Sequence, residues 1–225
     1  MRAFRASFTC AATALLFAAS AAVAQVLAPL GPLDATGQVS YFIAPPADDA
    51  GARPGDEDLA LWALESWERA AGGALKFVRA ANENDALVRL YWVPAAGGQY
   101  GEMRALNVQG LRGAAVYIRP DTTALGDEIA AAARLDSLFR DTIVYLTCLH
   151  ELGHALGLAH TADFEDVMYF FGFGGDLEEF FGRYRRALSE RGDIRTSSGL
   201  SAGDLEQLRA LYGPTVPAGE LTVAN

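Results

Sequence analysis

Apolar and polar residues alternate in short runs through the first half of the chain and recur at helical spacing through the second. QVSYFI (Gln38–Ile43), LKFVR (Leu75–Arg79), ALVRLYWV (Ala86–Val93) and AAVYIR (Ala114–Arg119) are rich in β-branched and aromatic residues and predict strands. Between the first two lies DEDLALWALESWERAAGG. Its acids come first, Leu59, Trp62, Ala63, Trp67 and Ala70 recur at helical spacing, and Gly72-Gly73 stop it, which predicts an amphipathic helix packed on a sheet. The glycine-rich stretch from Ala95 to Gly113 predicts loop with one irregular strand near Tyr100–Leu106. DTIVYLTCLHELGHALG, Asp141 to Gly157, has no proline and no glycine before Gly153, and it is apolar enough for a buried helix. Further on, Leu177, Phe180, Phe181, Tyr184 and Leu188 form one stripe opposed by Arg183, Arg185, Arg186 and Glu190. The closing SGLSAGDLEQLRALYGP carries an N-cap at Ser201 with Asp204 three residues on, a Leu200/Leu205 staple and a Gly213-Pro214 stop. No internal repeat interrupts this order.

Composition narrows the setting. Arg2 and Arg5 precede an apolar run, Ala11–Ala24, that ends Ala22-Val23-Ala24; this is the plan of a signal peptide over residues 1–24, cut before Gln25. Residues 25–225 then form a single exported domain, periplasmic or extracellular, with no later stretch approaching the roughly 20 apolar residues of a membrane anchor. The chain has 18 Lys+Arg against 28 Asp+Glu, a net charge of -10, and losing the two leader arginines makes the balance more acidic. Nucleic acid is therefore not an expected partner. Of the two cysteines only Cys148 lies beyond the leader, so no internal disulfide is expected and a packed core must hold the domain. A monomer is expected.

The chain holds three histidines, and all fall within HELGHALGLAH: His150, His154 and His160. On a helix, His150 and His154 stand one turn apart, about 6 Å along the axis, with side chains on one face. Two neutral imidazoles so placed can hold one zinc ion. Glu151 projects beside that ion, where a carboxylate can take a proton from water. A third ligand requires the chain to break and swing back. Gly157 suits that break, since glycine accepts the positive φ of a helix end, and His160 then arrives from outside the helix. A lone histidine in an apolar helix is usually a satisfied core residue, but that reading leaves the glutamate, the glycine and the third histidine unexplained. Cys148 lies about 200° round the helix from His150 and points away as a buried thiol.

HELGHALGLAH resembles the HExxHxxGxxH pattern of the metzincin zinc peptidases, and EDVMYF supplies a Met-turn with Met168 eight residues after His160. The spacing to VMY and the closing helix are similar to the matrixin branch. The resemblance implies an α+β fold: a twisted, mostly parallel sheet of about five strands with an antiparallel edge strand, a catalytic helix and a C-terminal helix. It implies one catalytic Zn2+ on His150, His154 and His160, with Glu151 as the base acting on a zinc-bound water. Gly157 and Met168 support the site, the methionine as an apolar floor and not as a ligand. Protein or peptide is the implied substrate, laid along the edge strand near Tyr100–Leu106.

Departures from the matrixin pattern are specific. No cysteine-switch motif is present and about a dozen residues separate the expected cut from the first strand, so no matrixin propeptide is expected. No histidines remain for a second, structural zinc. Phe170 stands where matrixins usually carry proline. It also occupies the position of the tyrosine that approaches the metal in other metzincin branches, so no tyrosine ligand is expected. The acidic clusters Asp48-Asp49 and Asp56-Glu57-Asp58 are the Ca2+ candidates, against a plainer role as solvated and helix-start charge. In matrixins the segment after the Met-turn wraps the pocket for the side chain following the cut bond. Here the Phe180/Phe181 stripe is expected to form a wall that can be trimmed with more effect on cleavage preference than on stability. Two rival readings are a zinc hydrolase of this fold acting on a non-peptide substrate, and a secreted binding or inhibitory module with an idle zinc site.

Overall fold

The computed structural model describes residues 30–33, 35–95 and 100–213. The expected leader over residues 1–24, the cut before Gln25 and the Pro214 stop lie outside them. In chain order the elements are β1 (Gln38–Ile43), α1 (Asp56–Ala70), β2 (Lys76–Arg79), β3 (Val88–Trp92), β4 (Gly101–Val108), β5 (Leu111–Ile118), α2 (Asp127–Leu135), α3 (Ser137–Leu156), α4 (Leu177–Arg186), α5 (Asp193–Thr196) and α6 (Ala202–Tyr212), with 3-10 turns at Glu83–Asp85, Thr122–Leu125 and Phe171–Phe173. The strands form one five-stranded sheet in the order β2-β1-β3-β5-β4. Pairs β1/β2, β1/β3 and β3/β5 are parallel, while β4 runs antiparallel to β5 at the edge. This is the expected α+β sheet, with its edge strand in the expected region.

Helices α1 and α3 cover one face of the sheet. The apolar face of α1 buries Leu59, Ala60, Ala63, Leu64, Trp67 and Ala70, and α3 buries nearly every residue from Phe139 to Leu156. Several polar groups at this helix contact are paired. Trp67 Nε1 donates to Leu149 O at 2.9 Å, and the Ser66 and Tyr145 hydroxyls lie 2.8 Å apart. Arg140 of α3 is bidentate on Asp56 at the start of α1, both side chains almost wholly enclosed.

Three stretches differ from the sequence expectation. The Ala95–Gly113 region contains a regular eight-residue strand, β4, and β5 starts at Leu111 instead of Ala114. Gln109 and Gly110, both at positive φ, close the two into a tight hairpin. As an edge strand, β4 buries little and so lacks the apolar alternation that marks a strand in sequence. Helix α2 was not anticipated, and α3 starts at Ser137 instead of Asp141. Its start is set by Asp136, which accepts from Leu138 N and Phe139 N at 2.9 and 3.0 Å.

Other expectations meet a definite place. Ser201 caps α6 in a full capping box with Asp204. Cys148 is a free, fully buried thiol. Phe180 and Phe181 are at 4% and 0% exposure, so the stripe packs into the core and truncating it costs stability alongside any change in cleavage preference. Each acid of the Asp56-Glu57-Asp58 run faces an arginine, respectively Arg140, Arg79 and Arg191.

Candidate metal centre

The last turns of α3 carry His150 and His154, and the helix stops where its backbone is forced to turn. Gly157 has φ 105°, and Leu158 N returns to Gly153 O at 2.9 Å to close the helix end. A Cβ at Gly157 would also stand 2.1 Å from Gly31 O. Beyond this break the chain brings His160 back, so that one ligating atom from each histidine lies within 4.8 Å of the others. Among the described residues this is the group of His, Cys, Asp and Glu side chains arranged to hold a metal ion.

Hydrogen bonds fix the tautomers of two rings. His150 Nδ1 meets Val167 O at 2.7 Å and His154 Nδ1 meets Leu158 O at 2.9 Å. A carbonyl only accepts, so both Nδ1 atoms carry the proton and both Nε2 atoms are left with a lone pair. Nε2 of His154 and of His160 face each other at 3.0 Å. Burial holds all three imidazoles below their ordinary pKa, His160 to about 4, and mutual repulsion adds to this at His150 and His160. Neutral rings with converging lone pairs are the donor set that zinc takes.

Glu151, the residue after His150 on α3, is buried. Burial first, then Glu102, pushes its carboxyl up to about 8, with Arg119 acting in the opposite sense. A divalent cation at the histidines would draw it back down. Gly101, the first residue of β4, lies directly against this carboxyl, since a Cβ there would fall 2.6 Å from Glu151 Cγ and Oε1. The start of the edge strand and the acid are therefore in contact.

Met168 is fully buried, and the absent side chain of Gly153 makes room for it. A Cβ on Gly153 would come 2.4 Å from Met168 Sδ and 3.1 Å from Trp67 Cζ2. Gly153→Ala is therefore expected to destabilise the fold by about 1–3 kcal/mol through overpacking, measured by chemical denaturation; an unchanged midpoint would mean that Met168 can yield. The Met168 turn is tied to the third histidine by a short parallel bridge, with Thr161 N donating to Met168 O at 2.8 Å and Phe170 N to Thr161 O at 3.1 Å. Tyr169 donates its hydroxyl to Gly174 O, away from the histidines, while the Phe170 ring lies 4.8 Å from that of His160.

A second layer holds this turn. Buried Asp204 accepts from Val167 N at 2.9 Å, Met168 N at 3.2 Å and Ser201 N at 2.9 Å. Gln207 brackets Ala159, next to His160, through both its backbone N–H and its carbonyl. Of the residues singled out in the sequence, the structure brings the three histidines together and places Glu151, Gly157 and Met168 on the elements around them, while Gly101, Asp204 and Gln207 are contacts of the site that the sequence reading did not include. The capping box at Ser201 was legible, but nothing local to it tells which distant amides its acid also holds.

Comparison with known proteins gives two matches. The matrixin family model matches residues 35–173. The bovine interstitial collagenase is 33% identical over 91 residues, an overlap of 38% of this chain and 15% of that protein. The match thus spans a small part of the curated relative's length. Helices α4 to α6, including Asp204 and Gln207, lie beyond the family match.

Proposed function

Since the chain belongs to the matrixin family of zinc-dependent peptidases, we propose that it is a secreted, monomeric zinc endopeptidase. One observation carries this reading: three neutral imidazoles each bring a ligating atom within 4.8 Å of the others, and the buried carboxyl next to them in the chain packs against the start of a strand that is at the sheet edge among the described residues. His150, His154 and His160 would hold the zinc, leaving a fourth position for reactants. When bound, zinc supplies Lewis acidity toward water and the scissile carbonyl.

The remaining work falls to the chain. Substrate pairs in extended form with β4, whose outer edge offers backbone donors and acceptors. Glu151 lies against Gly101 at the end of that strand, so it meets the peptide bond laid there. It takes the proton from the attacking water and hands it to the leaving amine. The Val167 and Leu158 carbonyls hold the two helix imidazoles in one tautomer and orientation through the cycle. Met168 closes the site from below with an apolar surface.

The test is cleavage of a proteome-derived peptide mixture by residues 25–225, abolished by a chelator and restored by zinc. An absence of cleavage by the zinc-loaded chain would overturn the reading. The ligand set has its own test. His160→Ala is expected to lower zinc content well below one ion per chain by elemental analysis after dialysis; full occupancy in that variant would remove His160 from the set.

A further inference from the structure

We propose that the ring of Tyr100 is a resident filler of the recess beside the metal centre, and that it sets the size of the substrate side chain accepted there. Tyr100 directly precedes β4 and so belongs to the rim on which substrate would lie. Its ring nevertheless reaches across to the opposite wall. It meets three rings edge-on: His150 of α3 at 6.4 Å and 69°, Phe171 of the 3-10 turn at 6.1 Å and 88°, and Phe181 of α4 at 5.9 Å and 87°. Edge-to-face contacts at these separations are favourable, so the ring is held in place and not merely covered. Phe181 is fully buried behind it, which makes the far wall rigid and apolar. Tyr100 as a residue is partly exposed, so the ring lies just beneath the surface at the start of β4.

Geometry links this ring to selectivity. Successive side chains of an extended peptide point to opposite faces, so of the two residues flanking a bond held at Glu151, one faces the recess. Gly101, the residue touching Glu151, is the immediate neighbour of Tyr100. The side chain facing the recess therefore meets the phenol ring within one residue of the reacting bond. A small side chain fits beside the ring, whereas an aromatic one requires the space that Tyr100 fills. This inference rests on the peptidase reading for its substrate, but the recess itself can be tested without it.

The experiment uses the zinc-loaded chain carrying Tyr100→Phe, Tyr100→Leu or Tyr100→Ala, with two readouts. The first is the cleavage-site profile on a peptide library. Wild type and Tyr100→Phe should share one ranking that disfavours aromatic residues at one position flanking the cut. Tyr100→Leu and then Tyr100→Ala should accept them progressively, with kcat/KM for aromatic over small side chains raised roughly 10- to 100-fold in the alanine variant. The second is binding of p-cresol, the tyrosine side-chain analogue, by NMR titration. Saturable binding is expected in Tyr100→Ala and not in wild type. Identical rankings across the series, or failure of p-cresol to bind the folded alanine variant, would overturn the proposal. If Tyr100→Ala does not fold, Tyr100→Leu carries both readouts with a smaller probe, phenol. If no variant cleaves any peptide, p-cresol binding decides alone: binding only after truncation keeps the filled recess and removes the peptidase reading.

Discussion

Exchange of Glu151 for glutamine is expected to lower peptide turnover by about 10²- to 10⁴-fold, the range of a lost general base, with zinc content unchanged. The two outcomes separate because of how the residues are held. The imidazoles take their orientation from Val167 O and Leu158 O, bonds in which Glu151 has no part. Glutamine also keeps the size of the side chain that packs against Gly101, so the start of β4 is not displaced. What it cannot do is accept a proton. Steady-state kinetics beside elemental analysis on the same preparation reads both quantities. Turnover close to wild type would move the proton to another group, and loss of zinc would make Glu151 a structural support.

The largest stability effect is expected at Arg140. Truncation to alanine leaves the Asp56 carboxylate buried without its partner, and breaking a buried pair in this way costs about 3–5 kcal/mol. The side chains are 1% and 4% exposed, and Arg140 also donates to Pro120 O at 3.1 Å. The Arg79–Glu57 pair one residue away on α1 is a useful contrast. Its side chains are 53% and 50% exposed, and solvent screening limits such a pair to about 0–1 kcal/mol. Chemical denaturation of Arg140→Ala and Glu57→Ala should therefore differ severalfold. Replacing Arg140 and Asp56 together with apolar residues of similar volume should recover much of the loss. Equal, small effects from both single variants would mean that water reaches Asp56.

The contrast between what could and could not be read in advance follows from range. His150, Glu151, His154, Gly157 and His160 lie within eleven residues, and helix geometry alone places them relative to one another. The buried strands β1 and β3 and the amphipathic α1 also carry their own periodicity, so their positions were legible to within two residues. β4 was not, because an edge strand with one solvated side buries too little to impose a pattern, and its tight hairpin depends on positive φ at Gln109, where a glycine is the commoner choice. The stripe on α4 was recognised correctly as a stripe. Its depth of burial was not legible, because periodicity shows which side faces inward and not how deeply. Gly101 and Asp204 are the hardest cases, since each acts on residues dozens of positions away, and neither role has any local signature.

The hydrogen bonds of Asp204 and Gln207 also bear on the order in which the protein is made. His150 is oriented by Val167, Val167 is held by Asp204, and the segment carrying His160 is held by Gln207. Both anchors lie on α6, the last described helix of the chain. A ribosome therefore delivers all three histidines well before the residues that brace them. While the chain is still being synthesised, the HELGHALGLAH segment has its imidazoles but not their bracing. Bracing of the histidine site is thus coupled to emergence of α6, so the metal centre is held in its observed geometry only once that helix has been translated.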